Sequence, residues 1–345
     1  SHQLSIPNIY AEDAEVLIAK YIEEENINIQ FFVDYVKPKK KPKRSIRISL
    51  QNLHLKQGKF TFYNEEDADT NVDGHWNYSN IVIDSIYTKM DELLIIGDSL
   101  NFKIRELSCK ERSGFTINTL KGHLRISSTG LYCLNTTFTT PNQSDIKVDF
   151  GFKYNTYSDF SDFNHKIIFD SKLHPSTLSL LDLVYFVPVF KGMDEIVNVE
   201  SKQVSGSLFE LNVENILLTV DKNNYLSGGV KLLGLPYIES TIIAAKINHL
   251  QVEPSVIEKI NLPNEKNILL PKIAKNIKWL EVEGDYTGYY YDFNAKLNFK
   301  TSLGNGSIKN FEFEYDTNQI IYSGDFEVEN VELGQLVDYE DVGKI

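Results

Sequence analysis

The sequence has fewer positive than negative charges, no stretch apolar enough to span a membrane and no signal-peptide pattern at its start, and these features limit what the protein can be. Its net charge of −13 argues against nucleic acid as a partner, because phosphates bind basic surfaces. No stretch approaches the roughly 18 consecutive apolar residues of a membrane-spanning helix, and the start does not resemble a signal peptide. The chain opens with Ser1 rather than Met, so we expect an excised piece of a longer protein, and an upstream membrane anchor remains open.

Cysteine is also scarce, and the two that are present leave two interpretations open. Cys109 and Cys133 both lie in strand-like stretches. Free cysteines are commonly buried as small hydrophobic residues, which is the favoured interpretation. A disulfide between them is the alternative.

Motifs of catalysis and metal binding are missing. The seven histidines are scattered without metal-ligand spacing, and neither a nucleophile elbow nor a phosphate-binding loop occurs. Residues 69–74 match half of a calcium loop, but Asn80 stands where the bidentate Glu is expected, so we interpret them as an acidic connection. The sequence therefore predicts no catalytic residue, no metal and no cofactor, and a protein that is not an enzyme.

Alternation of apolar and polar residues is abundant and restarts about every dozen residues. In residues 144–154, one side carries Ile146, Val148, Phe150, Phe152 and Tyr154, while the other side is charged. Residues 99–104, 295–299 and 311–315 repeat the pattern. Because strand side chains point to opposite faces with a period of two, these segments predict strands with one apolar face.

The chain divides, on composition, into residues 1–44 and residues 45–345. The first segment ends in the basic run 37–44, interpreted as a solvated linker, with contact to anionic lipid as the alternative. The second predicts strand after strand, with a weak internal repeat beginning near Gly206 and again near Gly284. Short helices are predicted over residues 176–186, 254–260 and 271–277, and over the apolar positions of residues 27–36.

Several short motifs, in a specific order, resemble one family. They are residues 48–63 (ISLQNLHLKQGKFTFY), 97–102 (GDSLNF), 110–115 (KERSGF), 140–144 (TPNQS), and 322–326 (YSGDF) followed by Leu333-Gly334. Together they resemble the TamB-like (translocation and assembly module) proteins of Bacteroidota, in the AsmA-like superfamily. The resemblance spans essentially the whole chain, most clearly residues 45–345, but both the membrane anchor and the C-terminal domain of the family are missing from it.

The resemblance implies a fold, a location and partners. The fold is an elongated, lengthwise-folded β-sheet, or taco-like β-groove, in a longer solenoid that begins with an inner-membrane helix. The location is the periplasm of a Gram-negative envelope. The partners are phospholipid acyl chains and an outer-membrane assembly protein of the Omp85 type.

The continuous apolar face also indicates a function, namely binding of an apolar ligand. An open sheet with one continuous apolar face must cover that face or use it, and the sequence has too few helical residues to cover it. The predicted groove-lining residues, each with ordinary core packing as the alternative, are Phe102, Ile104, Ile146, Val148, Phe150, Phe152, Leu297, Phe299, Phe311 and Phe313. Together with what the resemblance implies, this face leads us to expect a periplasmic conduit that carries phospholipid toward the outer membrane and supports its biogenesis. The alternative is a scaffold or chaperone for outer-membrane β-barrel proteins or autotransporters.

Overall fold

The chain folds into two compact units that are rich in strands. The computed structural model describes residues 3–24, 27–28, 47–67, 74–187, 190–258, 261–262, 266–267, 276–316 and 319–332. Unit 1 is Ser1–Val187 and unit 2 is Pro188–Ile345. Strands hold 68% of the residues and helices 9%, which confirms the predicted all-β class of open, curved sheet with a few short helices. The predicted boundary at residue 44 and the extension into a longer solenoid stay predictions.

Unit 1 is an antiparallel meander with a parallel edge. Its strands are β1 Gln3–Glu12, β2 Glu15–Lys20, β3 Arg47–Asn64, β4 Asn80–Ile96, β5 Ser99–Glu111, β6 Thr116–Ser127, β7 Gly130–Thr139, β8 Asp145–Lys153 and β9 Ile168–Ser179. From β3 to β9 each strand pairs antiparallel with the next. Both β1 and β2 pair parallel with β3, so the N-terminal segment supplies strands to this sheet. The basic run 37–44 lies outside the described residues.

Unit 2 is a second antiparallel meander. Its strands are β10 Ile196–Ser207, β11 Glu210–Thr219, β12 Tyr225–Leu233, β13 Ile242–Val252, β16 Leu280–Gly288, β17 Asp292–Thr301, β18 Gly304–Asp316 and β19 Gln319–Glu329. Each pairs antiparallel with the next in this order. The short strands β14 Asn261–Leu262 and β15 Lys266–Asn267 pair only with each other among the described residues.

A register shift interrupts nearly every pair of neighbouring strands near its middle. Among the antiparallel pairs described in the two meanders, only β10–β11 and β16–β17 lack one. Polar residues with positive φ lie at many of these shifts, namely Gln57, Ser85, Glu92, Asn135, Asn215 and Asn310. A β-bulge bends its strand and increases the local twist, so a series of bulges curves each sheet across its strands. This curvature turns the apolar side of each sheet into a concave surface.

The helices among the described residues are short, and two were predicted too long. They are Phe163–Lys166, Leu180–Leu183 and Pro254–Ile257, with 3-10 turns at Glu65–Asp67, Tyr157–Asp162 and Ile238–Ser240. The predicted helix over 176–186 is wrong at both ends, because β9 continues to Ser179 and pairs with β8, and the helix that follows ends at Leu183. Pro254 begins a helix as expected, but this helix ends at Ile257, before the predicted end at residue 260. The predictions over 27–36 and 271–277 fall largely outside the described residues.

Alternation within the strands is confirmed by burial. Along β17 the side chains of Phe293, Ala295, Leu297 and Phe299 are buried or half-buried, whereas the intervening asparagines and lysines are exposed. The apolar side therefore faces the interior of the curved sheet, and the charged side faces water.

Candidate functional site

Strand register joins the apolar faces of unit 2 into continuous rows that run across the sheet. The first, called the Phe299 row, consists of directly paired residues from every strand of the meander: Val199, Leu218, Leu226, Leu250, Val282, Phe299, Gly306 and Val328. Directly paired residues lie on the same face of a sheet. The row therefore forms an apolar track perpendicular to the strands, without a polar side chain.

A second track, the Phe293 row, runs near the other ends of the same strands. Its members are Leu211, Leu232, Ile243, Gly288, Phe293, Phe313 and Tyr322. The ring of Phe293 stacks on Phe313 at 4.9 Å and on Tyr286 at 4.6 Å between centroids. Phe311 joins this row from the side, 6.0 Å from Phe293.

The predicted residues Leu297, Phe299, Phe311 and Phe313 thus lie on one concave face of unit 2. All four are half-buried. The ring of Phe299 lies over Gly306, where an added Cβ would come within 2.8 Å of it. No aromatic ring among the described residues of unit 2 contacts Phe299, so no described ring covers its outer face.

Unit 1 has a comparable track, the Phe152 row. It passes through Leu4, Ile48, Ile95, Leu100, Ile126, Leu131, Phe152 and Phe169. A neighbouring row places Phe102, Leu124, Cys133 and Phe150 on the same face. The predicted residues of unit 1 therefore share one face, with Phe102, Ile104 and Ile146 buried and Val148, Phe150 and Phe152 half-buried.

The chain itself covers part of the apolar face of unit 1. The ring of Phe152 contacts Phe160 at 6.4 Å and Phe163 at 5.4 Å between centroids, and both belong to the connection between β8 and β9. Phe169 completes the cluster at 5.0 Å. The expectation that too few helical residues exist to cover the face misses this arrangement, because a short aromatic connection provides the cover.

A second connection reaches the first from the opposite ends of the strands. The backbone N–H of Trp76 donates to the carbonyl of Tyr185 at 2.7 Å, and the Trp76 ring packs on Phe115 and Phe186. From the same connection, the ring of Tyr78 stacks on Phe163 at 6.3 Å. Burial raises the pKa of the Tyr78 phenol to about 12. Residues 74–79, 154–167 and 180–187 together are called the unit 1 lid.

The lid is tied to the sheet by the buried carboxylate of Asp182. It accepts hydrogen bonds from the hydroxyls of Thr140 and Ser144, both at 2.5 Å, and from the amide of Asn142 at 2.8 Å. The donors come from the turn between β7 and β8. Three donors satisfy the carboxylate that burial removes from water, so this contact fixes the helix Leu180–Leu183 against the sheet.

Charged side chains on the opposite faces pair with one another across the strands. Lys309 donates to Glu327 at 2.7 Å, which lowers the pKa of that carboxyl group. The backbone N–H of Asn135 donates to Asp149 at 2.8 Å and His174 lies 2.8 Å from it, and both contacts lower the pKa of Asp149. These carboxylates therefore stabilise strand pairs and bulges.

Both cysteines are free thiols. Cys133 is buried between Gly122 and Phe150, and Cys109 is half-buried. Burial raises the pKa of the Cys109 thiol to about 11, with Asp84 adding to the shift, and burial also raises the pKa of Cys133. The structure therefore supports the first of the two interpretations, in which Cys109 and Cys133 are free thiols that pack as small hydrophobic residues, and not the disulfide.

Sequence reasoning missed the residues that close unit 1 and those that complete the rows of unit 2. Phe160, Phe163 and Tyr78 lie outside strands, where no alternation marks them. Leu218, Leu226 and Leu250 do lie in alternating strands. Only the register between strands reveals that they continue the track of Phe299.

The described residues contain neither a cluster of metal ligands nor a helix that could span a membrane. No group of three or more His, Cys, Asp or Glu side chains there is placed to hold a metal ion. None of the described helices has the length and apolar character needed to cross a membrane. The calcium-like loop 69–74 falls almost wholly outside the described residues.

Comparison with known proteins identifies no relative of this chain. No family model, no curated protein and no solved structure matches this chain.

Proposed function

We propose that this chain is a groove-forming piece of a TamB-like envelope protein and that it carries phospholipid between the inner and outer membranes. Acyl chains lie along the apolar rows while the head groups remain in water. The order of the sequence motifs that resemble this family supports the location in the periplasm. The same resemblance supports an anchor in the inner membrane, an Omp85-type partner at the outer membrane and a role in outer-membrane biogenesis.

The observation that carries the proposal is the Phe299 row. Eight strands at about 4.8 Å spacing give a track of roughly 34 Å. Burial of an acyl chain contributes about 0.8 kcal/mol per CH₂, so a polar gap that exposes four CH₂ groups would cost about 3 kcal/mol. A row without a polar side chain avoids this cost from strand to strand.

The concave shape supports the same conclusion. The bulges bend the strands, so that side chains from both halves of a strand surround an acyl chain on more than one side. Leu297, Phe299, Phe311 and Phe313 are half-buried in the protein alone and would lose further water-accessible area to a bound chain. The charged face of each sheet would stay in water.

Phospholipid bound to the protein tests the proposal. We expect solvent extraction of the protein, purified from a Gram-negative host, to release phospholipid. A photocrosslinking residue at Phe299 should label that lipid, whereas the same residue at the neighbouring, outward-facing Asn298 should not.

Two results would contradict the proposal. The first is the absence of lipid in the extract together with no lipid labelling from position 299. The second is labelling of nascent outer-membrane proteins from position 299 in place of lipid, which would favour the scaffold or chaperone alternative.

A further inference from the structure

The unit 1 lid consists of two arms that enter from opposite ends of the strands. The first arm, residues 154–167, connects β8 to β9, and the second arm combines residues 74–79 with residues 180–187. The two arms meet where the ring of Tyr78 stacks on Phe163, with 6.3 Å between the centroids and 19° between the ring planes. This contact joins two connections that are attached to the sheet at different ends.

The first arm lies along the Phe152 row. Its Phe163 ring packs on both Phe152 and Phe169, at 5.4 Å and 6.1 Å between centroids. Toward the earlier strands, the hydroxyl of Tyr154 donates to the carbonyl of Ser127, the last residue of β6, at 2.7 Å. The rings of this arm therefore occupy apolar positions that an acyl chain on the same row would need.

The position of the first arm on the sheet carries a cost. Its helix, Phe163–Lys166, has a single turn, and the side-chain oxygen of Asn164 is buried without a hydrogen-bond partner among the described residues. A buried carbonyl oxygen without a donor destabilises the arrangement that buries it. Opening of the arm would return this oxygen to water, and an acyl chain could replace the rings of Phe160 and Phe163 on the apolar row.

We infer that the unit 1 lid gates the Phe152 row, and that the stacking of Tyr78 on Phe163 is the contact that keeps the gate closed. When the two arms separate, the first arm moves away from the row and acyl chains occupy the positions of its rings. This inference rests on the proposed transport of phospholipid, because it assigns a regulation to one of the two apolar faces.

The test uses the full chain and vesicles of phosphatidylethanolamine that carries a photoreactive diazirine in its acyl chain. After illumination, mass spectrometry locates the labelled residues. In the native chain we expect label at Phe299 and little label at Phe169, beneath the first arm. Tyr78→Ala should raise the label at Phe169, relative to Phe299, by at least about tenfold, because loss of the stacked ring shifts the equilibrium toward the open arm.

Tyr78→Phe is the matched control, because it keeps the ring on Phe163 and should leave the label at Phe169 as low as in the native chain. Circular dichroism shows whether both variants keep their strand content. A second measurement needs no variant. The amides of residues 163–167 should exchange hydrogen with solvent faster when the vesicles are present, because the first arm then leaves the sheet.

The outcomes separate the gate from the transport itself. Three results would overturn the gate and leave the proposed transport unaffected: equal label at Phe169 and Phe299 in the native chain, no increase at Phe169 in Tyr78→Ala, or an equal increase in Tyr78→Phe. Unchanged or slower exchange of residues 163–167 with vesicles would also overturn the gate, because lipid would then bind over a closed lid. The absence of label at Phe299 and Phe169 in every variant would contradict the proposed transport, and the gate with it.

Discussion

Unit 1 and unit 2 are both antiparallel meanders of bulged strands, but they differ in what packs on the apolar face of the sheet. In unit 1 the face around Phe152 is covered by Phe160 and Phe163 from a connection, and Tyr78 packs on that cover. In unit 2 the ring of Phe299 lies over Gly306, and no described aromatic ring covers it. Comparable alternation therefore accompanies a covered apolar face in unit 1 and, among the described residues of unit 2, a face on which no aromatic ring covers Phe299.

Removing the carboxylate that holds the unit 1 lid should have the largest effect. Asp182→Ala leaves the donors of Thr140, Ser144 and Asn142 without their acceptor, and we expect a loss of about 4 kcal/mol in the free energy of unfolding. The fluorescence of Trp76, which packs in the lid, reports on unit 1 during urea unfolding. Trp279 reports on unit 2 in the same experiment.

The matched control is Asp149→Ala, at a partly exposed carboxylate on the charged face. It should cost only about 1 kcal/mol, because water replaces its hydrogen bonds. Equal losses for the two variants would show that the Asp182 contact does not hold the lid, and an equal shift of the Trp279 transition would show that the effect is not confined to unit 1.

A pair of phenylalanine truncations compares the two faces directly. Phe152→Ala removes a ring that four other rings contact and should destabilise unit 1 by about 3 kcal/mol. Phe299→Ala removes a half-buried ring without aromatic cover and should destabilise unit 2 by about 1 kcal/mol. Urea unfolding followed by the same two tryptophans measures both. A larger cost at position 299 than at position 152 would mean that the face of unit 2 is a closed core.

The smallest effect is expected from Tyr78→Phe and appears only at alkaline pH. The pKa of Tyr78 is raised from its ordinary value of 10 to about 12 because the phenol is buried in the lid. The neutral phenol therefore favours the folded state below pH 10, and this contribution is lost as the pH rises toward about 12. Tyr78→Phe keeps the ring on Phe163 and should preserve the lid further into this range.

Tyr286→Phe provides the comparison in unit 2, since burial raises the pKa of Tyr286 to about 12 as well. Each variant should delay alkaline unfolding only of its own unit, as followed by Trp76 and Trp279. If Tyr78→Phe changes neither transition, ionisation of Tyr78 does not limit the stability of the lid.

Much of the fold could be read from single strands. Phe299 beside Lys300 and Phe150 beside Asp149 show which residues share a face, because side-chain direction alternates along a strand. The helix predicted over 176–186 failed where β9 continues instead, since pairing with β8 outweighs a local helical pattern. The lid could not be predicted, because Phe160 and Tyr78 lie in connections whose course depends on distant contacts.

The sequence by itself determined the all-β class and the apolar side of each strand, because both follow from a local period of two residues. Only the tertiary structure decided that Leu226, Val282 and Phe299 align into one row, since hydrogen-bond register joins residues far apart in the chain. It also decided that a connection of unit 1 covers the apolar face around Phe152, whereas no described aromatic ring of unit 2 covers Phe299. That difference depends on where the connections between strands cross the face of the sheet, and the alternation of apolar and polar residues within the strands does not predict this.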